Sequence, residues 1–460
     1  SGFFQGRAAA VDIGGTEYSA AEVQYYYNSC LNYYYTYAQY GLITNFDVKV
    51  DPAEQMYDEE AGITWHEQIM TEAIDTLAQS KAVIKLAKEE GFTLSEEGKH
   101  EVEHAMQDQE AAAITNGFTS TTAYLKAAFG NSMTKGKYEA LQMENMLVSE
   151  YVAKYNEALS YTDEELETYY AENADSMDVF HYSYAEVNGE AAENKDAEGN
   201  VVDPTQEQIT AAMEEAEQTA QDILRRLNAG VAFDTVLADY AQDEKVSVTA
   251  DQKTVSAAAD PDVYGWLAVE GRKVGDAGVL ENADGNGYFV VKVLGRGRNT
   301  ERPADVRHIL VAAQQDEDAE QPTDAQFEAA KAEAEALLEQ WKAGEATEDS
   351  FAALAKEKSA DAGSAENGGL YEGVSSATGF IKEFTDWALD SARQSGDTGL
   401  VKNTGSSTKG WHIMYYVAGG EEVWKTDART ALSTEATNAW LDQLVEELGV
   451  ERLAGLDNVK

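Results

Sequence analysis

The strongest constraint on this fold is internal repetition: one stretch of the chain occurs twice. Asp178-Val179-Phe180-His181-Tyr182-Ser183-Tyr184 lines up with Asp305-Val306-Arg307-His308-Ile309-Leu310-Val311. Pro204-Thr205 lines up with Pro322-Thr323, each just ahead of an amphipathic helical pattern. Ala232-Phe233-Asp234 matches Ser350-Phe351-Ala352, and Trp266 matches Trp387. Gly275-Asp276-Ala277-Gly278 matches Gly396-Asp397-Thr398-Gly399. Gly287-Tyr288-Phe289-Val290-Val291 closes the first copy as Gly410-Trp411-His412-Ile413-Met414 closes the second. The offset stays within about ten residues of 120 throughout, the mark of a duplicated domain. Short apolar runs around one long amphipathic helix predict a β-α-(short α)-β unit in each copy. The copies span 176–300 and 301–420, with Pro303 at the seam.

Residues 1–175 have a different texture and predict an all-helical domain. Ser19-Ala20-Ala21-Glu22, Thr64-Trp65-His66-Glu67 and Thr162-Asp163-Glu164-Glu165 are capping boxes that open helices. Further helices are expected from near Ser95, over 120–129 and over 134–158. Val23, Tyr27, Cys30, Tyr34 and Tyr37 form one face of the first helix, and Tyr25, Tyr26, Tyr33, Tyr35 and Tyr40 cover the rest. So many aromatics suit a helix buried in a bundle. The alternative is an aromatic surface for apolar, variable clients. Leu432, Trp440, Leu444, Val445 and Leu448 predict one more helix in 421–460, outside both repeats.

Composition narrows the function. With 84 Asp+Glu against 34 Lys+Arg the net charge is −50, a field that repels phosphate backbones and argues against nucleic acid. No stretch approaches the roughly 20 apolar residues of a membrane span. A single cysteine, Cys30, rules out an intrachain disulfide and a Cys-rich metal site. The start at Ser1-Gly2-Phe3-Phe4, without Met, suggests a chain from which a signal or anchor has been removed.

The second copy carries an ordered set of motifs. Arg307-His308-Ile309-Leu310-Val311 begins one strand and Gly410-Trp411-His412-Ile413-Met414 the last. Between them come Phe351-Ala352-Ala353-Leu354-Ala355, Ser359-Ala360-Asp361, Asn367-Gly368-Gly369-Leu370, Gly379-Phe380, Phe384 and the Gly396–Gly399 turn. This succession resembles the parvulin family of peptidyl-prolyl cis/trans isomerases over about 303–418. The whole arrangement resembles the exported SurA/PrsA-type foldases. The resemblance implies an α+β multidomain protein: a helical chaperone domain (1–175), two parvulin-like modules (176–300 and 301–420) and a C-terminal helix (421–460). Each module would hold a four-stranded antiparallel sheet with helices. The C-terminal helix would complete the chaperone part.

The resemblance also implies roles. His308 and His412 would be the paired histidines and Asp361 the acidic group beside the isomerising bond. Leu370, Phe380, Phe384 and Met414 would bind the proline, and Thr404 or Ser407 would supply a hydroxyl partner to the histidines. No metal or cofactor is implied. Partners would be unfolded or partly folded exported polypeptides, outside the cytoplasm, with membrane attachment only through a removed N-terminal anchor. The first copy keeps His181 but has Phe289 opposite His412 and Glu244 opposite Asp361, and lacks the Gly-Gly-Leu element. It is expected to keep the fold without the activity.

His100-Glu101-Val102-Glu103-His104 matches the zinc-protease pattern H-E-x-x-H, which places two histidines on one helical face. Its polar flanks instead suit a solvated helix face. The acidic runs Glu190–Asn200 and Asp316-Glu317-Asp318 are expected to be solvated loops.

Overall fold

The computed structural model describes residues 6–196, 198–255, 261–269, 271–316, 319–405 and 407–460. The first residues of the chain, and Glu317 and Asp318 of the second acidic run, lie outside them. The chain forms two compact units, residues 1–161 with 430–460, and residues 162–429. No helix among the described residues is long and apolar enough to cross a membrane.

The first unit holds helices Ala20–Gln39, Trp65–Glu89, Glu96–Thr115, Thr121–Phe129 and Lys135–Glu157, with the latter part of Val423–Leu448. Two capping boxes form as expected. Glu22 accepts hydrogen bonds from the Ser19 backbone and hydroxyl (both 2.9 Å), and Glu67 does the same for Thr64. Trp65, Ile69, Leu77 and Tyr27 are buried in its core. Each large apolar side chain so buried contributes about 1.5–3 kcal/mol.

The unit is not purely helical. Ala9–Ile13 and Thr16–Ser19 form a hairpin, and Val450–Arg452 pairs antiparallel with Ala9–Ile13. Gly14 and Gly15, at φ 60° and 81°, make the turn in a left-handed conformation that favours glycine. The third strand lies at the other end of the chain, so no local pattern announces this sheet. Tyr37 also departs from the expected buried face and is 37% exposed. All the buried residues of its helix lie within Ala20–Tyr27.

The second unit begins with helix Asp163–Met177, which the sequence places with the helical domain. Ion pairs bind it to the second unit instead: Glu167 with Arg298, and Asp175 with Arg296. Two four-stranded antiparallel sheets follow. The first has the order Val246–Val255, Val179–Asn188, Gly287–Gly297, Ala277–Glu281. The second repeats it as Leu370–Val374, Ala304–Ala312, Gly410–Gly419, Thr398–Asn403. Helices Gln206–Asn228 and Asp324–Ala343 start from matching capping boxes, Thr205 with Gln208 and Thr323 with Gln326.

The duplication extends to side-chain detail. Arg272 lies over Trp266 and donates Nε–H to its carbonyl, as Arg393 does with Trp387. A Cβ on Gly278 would meet Trp266 at 2.6 Å, and one on Gly399 would meet Trp387 at 2.3 Å.

Strand register corrects one alignment. Gly287 pairs with Asn188 and Gly410 with Ala312, which makes Phe289 equivalent to His412 and Tyr184 equivalent to His308. His181 stands three residues away, exposed and paired with Gly295. Similarity of letters put His181 opposite His308, whereas hydrogen-bond register decides which residues share a place in a sheet.

Candidate active site

The central strands of the second sheet present two faces, because successive side chains alternate. Ile309, Val311, Ile413 and Tyr415 pack with Ala330, Ala334 and Trp341 of helix Asp324–Ala343. His308 and His412 lie on the other face, with Val306, Met414 and Tyr416. Leu310 pairs with His412 and Met414 with His308, so the histidines are diagonal neighbours and their rings can meet.

Both are buried, at 2% and 7% exposure, and all four ring nitrogens have partners. The Nδ1 atoms lie 2.9 Å apart. His308 Nε2 is 2.8 Å from Asp361 Oδ2 and 2.9 Å from Ser364 Oγ. His412 Nε2 is 3.0 Å from Asn403 Nδ2.

These contacts determine the tautomers. Asn403 Oδ1 accepts from the Gly405 N–H (3.2 Å), and Nδ2 donates to the Thr408 carbonyl (3.1 Å). The amide therefore presents a donor to His412 Nε2. That nitrogen accepts, so the proton of His412 is on Nδ1 and is donated to His308 Nδ1. His308 in turn carries its proton on Nε2 and donates to Asp361. The result is a one-directional chain from Asn403 through two imidazoles to a carboxylate.

Its electrostatics follow from the surroundings. Burial pushes His412 down to about 3, the neighbouring His308 adds to this, and Asp361 opposes it. The His308 hydrogen bond holds the Asp361 carboxyl well below the usual carboxylate range against the cost of burial, helped by Ser364 and Tyr371. Ser364 Oγ–H and Tyr371 O–H donate to Oδ2 at 2.6 and 2.8 Å. Burial, and then the bond to Asp361, raise the Tyr371 phenol.

A loop after helix Glu348–Lys358 delivers Asp361 and Ser364. Ser359 Oγ accepts from the Leu310 N–H, and the Ala360 N–H donates to the Leu310 carbonyl. The loop returns through Gly368 and Gly369, both left-handed, and Gly369 accepts the His308 N–H at 2.8 Å. A Cβ on Gly369 would lie 2.1 Å from the His308 carbonyl oxygen, so only glycine permits this approach.

Beside the chain lies a cleft of about 490 Å³, walled by Tyr371, Phe380, Ile381 and Phe384. Phe380 and Phe384 stack at 4.8 Å, and Phe384 stands edge-on to both imidazoles. Tyr371 stacks on His308 at 5.2 Å.

The structure thus brings together His308, Asp361, His412, Phe380 and Phe384. It does not bring Leu370 or Met414 to the cleft. Leu370 precedes Tyr371 on a strand, so their side chains face opposite ways and Tyr371 takes the wall position. Met414 is fully buried among Phe384, Val306 and Tyr416, beneath the site. The hydroxyl expected from Thr404 or Ser407 is also corrected: Ser364 serves His308, and the Asn403 amide serves His412. Ser364, Tyr371 and Asn403 carry no motif that sequence reasoning could have used. Their contact with the histidines arises only when loop and sheet close on each other.

In the first module Tyr184 and Phe289 occupy the two histidine places, edge-to-face at 5.9 Å. Glu244 is exposed in the turn before strand Val246–Val255. His100 and His104 lie side by side on helix Glu96–Thr115 with Nε2 atoms 3.1 Å apart. Among the described residues no group of three or more His, Cys, Asp or Glu is placed to hold a metal ion.

Residues 308–418 match the rotamase family, the PPIC-type PPIASE domain. The chain is 29% identical over 271 residues to the chaperone SurA of Pseudoalteromonas atlantica, covering 56% of this chain and 57% of that protein. It is 27% identical over 268 residues to the chaperone SurA of Shewanella denitrificans, covering 55% and 56%. It therefore aligns with little more than half the length of these relatives. The crystal structure of PrsA from Bacillus subtilis aligns over 86% of this chain and 92% of its own, at 13% identity and a TM-score of 0.28. Residues 308–418 are thus similar to the PPIC-type PPIASE domain, and a little over half of the chain is similar to SurA chaperones.

Proposed function

We propose that residues 301–420 isomerise Xaa-Pro bonds in unfolded exported polypeptides, that the helical unit holds such chains, and that the protein is an extracytoplasmic foldase. One observation carries this: the Asn403–His412–His308–Asp361 hydrogen-bond chain runs beside a cleft walled by Tyr371, Phe380, Ile381 and Phe384, apolar side chains suited to a proline ring.

The physics of the reaction asks for little more. Rotation about the prolyl amide meets a barrier of about 18–20 kcal/mol because planarity gives resonance. Uncatalysed exchange takes about 10–100 s. No bond breaks, so the catalyst need only favour the twisted amide over the planar one. An apolar wall of Phe380, Phe384 and Tyr371 grips the ring and disfavours the more polar planar form. The imidazole chain supplies a preorganised dipole that need not reorient during rotation. Tyr371 and Ser364 act as positioning residues, holding the Asp361 carboxylate against His308.

Exchange spectroscopy on a short Xaa-Pro peptide tests it. The intact protein accelerates exchange. Asp361→Asn and Phe380→Ala each lower kcat/KM about tenfold or more, and Tyr371→Phe, which keeps the ring, lowers it a few-fold. No acceleration across several Xaa residues overturns the assignment. For the first module the apolar Tyr184–Phe289 pair favours chain-holding without catalysis. Substantial acceleration left in a folded His412→Ala variant of the full chain would assign activity there instead.

A further inference from the structure

The helical unit exposes an aromatic face that its own core does not use. Tyr33, Tyr37 and Tyr40 are 51%, 37% and 78% exposed, and their i, i+4, i+7 spacing places them in one stripe along helix Ala20–Gln39 and its cap. Tyr33 packs at a tilt against Tyr37, ring centres 4.2 Å apart, and stands edge-on to Tyr34. Tyr34 and Tyr57 both pack on Trp65, at 4.9 Å each, which joins the stripe to the hairpin Met56–Thr64. The rings therefore form one supported surface, with Trp65 buried beneath it.

Charge identifies what this surface suits. The turn of the hairpin carries Asp58, Glu59 and Glu60, all exposed, and among the described residues none has an ion-pair partner. Residues 31–71 hold seven carboxylates and one lysine. Tyrosine faces attract cations through the ring quadrupole, and aliphatic stems of Lys and Arg lie well along aromatic surface. A second copy of this chain would bring the same stripe and the same carboxylates, so like charges would oppose it.

We propose that this face docks an extended polypeptide segment in which Lys or Arg stands beside apolar residues. The cation meets tyrosine rings and hairpin carboxylates, and the apolar neighbours cover the rest of the stripe. This rests on the helical unit holding unfolded chains and names the segments it prefers.

The test uses the full chain and two labelled, proline-free peptides of Leu and Trp, one carrying Lys and the other Glu at the same positions. Fluorescence anisotropy reads binding. The Lys peptide binds at least about tenfold tighter, and its affinity falls as salt rises through the screening range of about 0.02 to 0.3 M. The Tyr33→Ser/Tyr37→Ser/Tyr40→Ser variant, altered only at exposed positions, loses about tenfold or more. Glu59→Gln/Glu60→Gln loses a few-fold and flattens the salt dependence. Equal binding of the two peptides overturns the proposal, as does Lys-peptide binding unchanged by the tyrosine substitutions. So does a dimer in sedimentation that those substitutions dissolve. Suppression of aggregation of an unfolded protein, measured on the same samples, separates the outcomes. If it persists while the peptide results fail, chain-holding stands and only this face is wrong.

Discussion

At the scale of single residues, Asn403 has the widest consequences. Its amide orientation assigns the proton of His412, and through it that of His308, so one side chain with no place in any motif orders the site. The same burial makes stability depend on pH. His412 is pushed down to about 3 in the fold and titrates near about 6.5 when unfolded. Between those values the unfolded chain binds a proton that the folded one refuses, so stability is full above about 6.5 and falls as pH drops toward about 3. Asp361 has the same sign at lower pH: its contribution is present above about 3.9 and is lost as pH falls below that. Urea midpoints of the native protein from pH 7 to 4 are expected to fall more steeply than those of His412→Phe. The difference approaches one proton's slope, about 1.4 kcal/mol per pH unit.

At the scale of elements, the loop Ser359–Gly369 couples the groups of the candidate site to sheet geometry. It bonds to both sides of the His308 strand position, through Leu310 and through Gly369. Gly369→Ala is expected to strain a φ of 71° and press on the His308 carbonyl. A loss of more than about 2 kcal/mol in denaturant titration, together with lost isomerisation, is the outcome expected. Stability within about 0.5 kcal/mol of the native chain would show that the backbone relaxes freely. The capping boxes and the repeat were legible because they are local or periodic: Thr205 with Gln208 and Thr323 with Gln326 sit three residues apart. The equivalence of Tyr184 and His308 was not legible. It depends on which residue of one strand faces which of another, more than 100 positions away.

At the scale of the whole molecule, chain ends matter most. Residues 430–460 belong to the same compact unit as residues 1–161. Trp440 stacks on Tyr155 at 4.0 Å and 7°, and Val450–Arg452 adds the outer strand to Ala9–Ile13. Trp440→Ala is expected to lower the stability of that unit by about 2 kcal/mol, read as an earlier transition in urea, without changing isomerisation of a short peptide. An unchanged transition would place the weight of the stack elsewhere.

Sequence alone determined the duplication, the helix starts and the acidic charge, because periodicity and capping are written along the chain, while His308, Asp361, His412, Phe380 and Phe384 were singled out by the resemblance that the order of motifs carries. Tertiary structure alone decided that Tyr371 rather than Leu370 walls the cleft and that Met414 lies beneath it. It also decided that Ser364 and Asn403 partner the imidazoles and that Tyr37 faces solvent. These depend on strand register, side-chain alternation and loops closing across long separations, where a shift of one residue exchanges the two faces of a sheet.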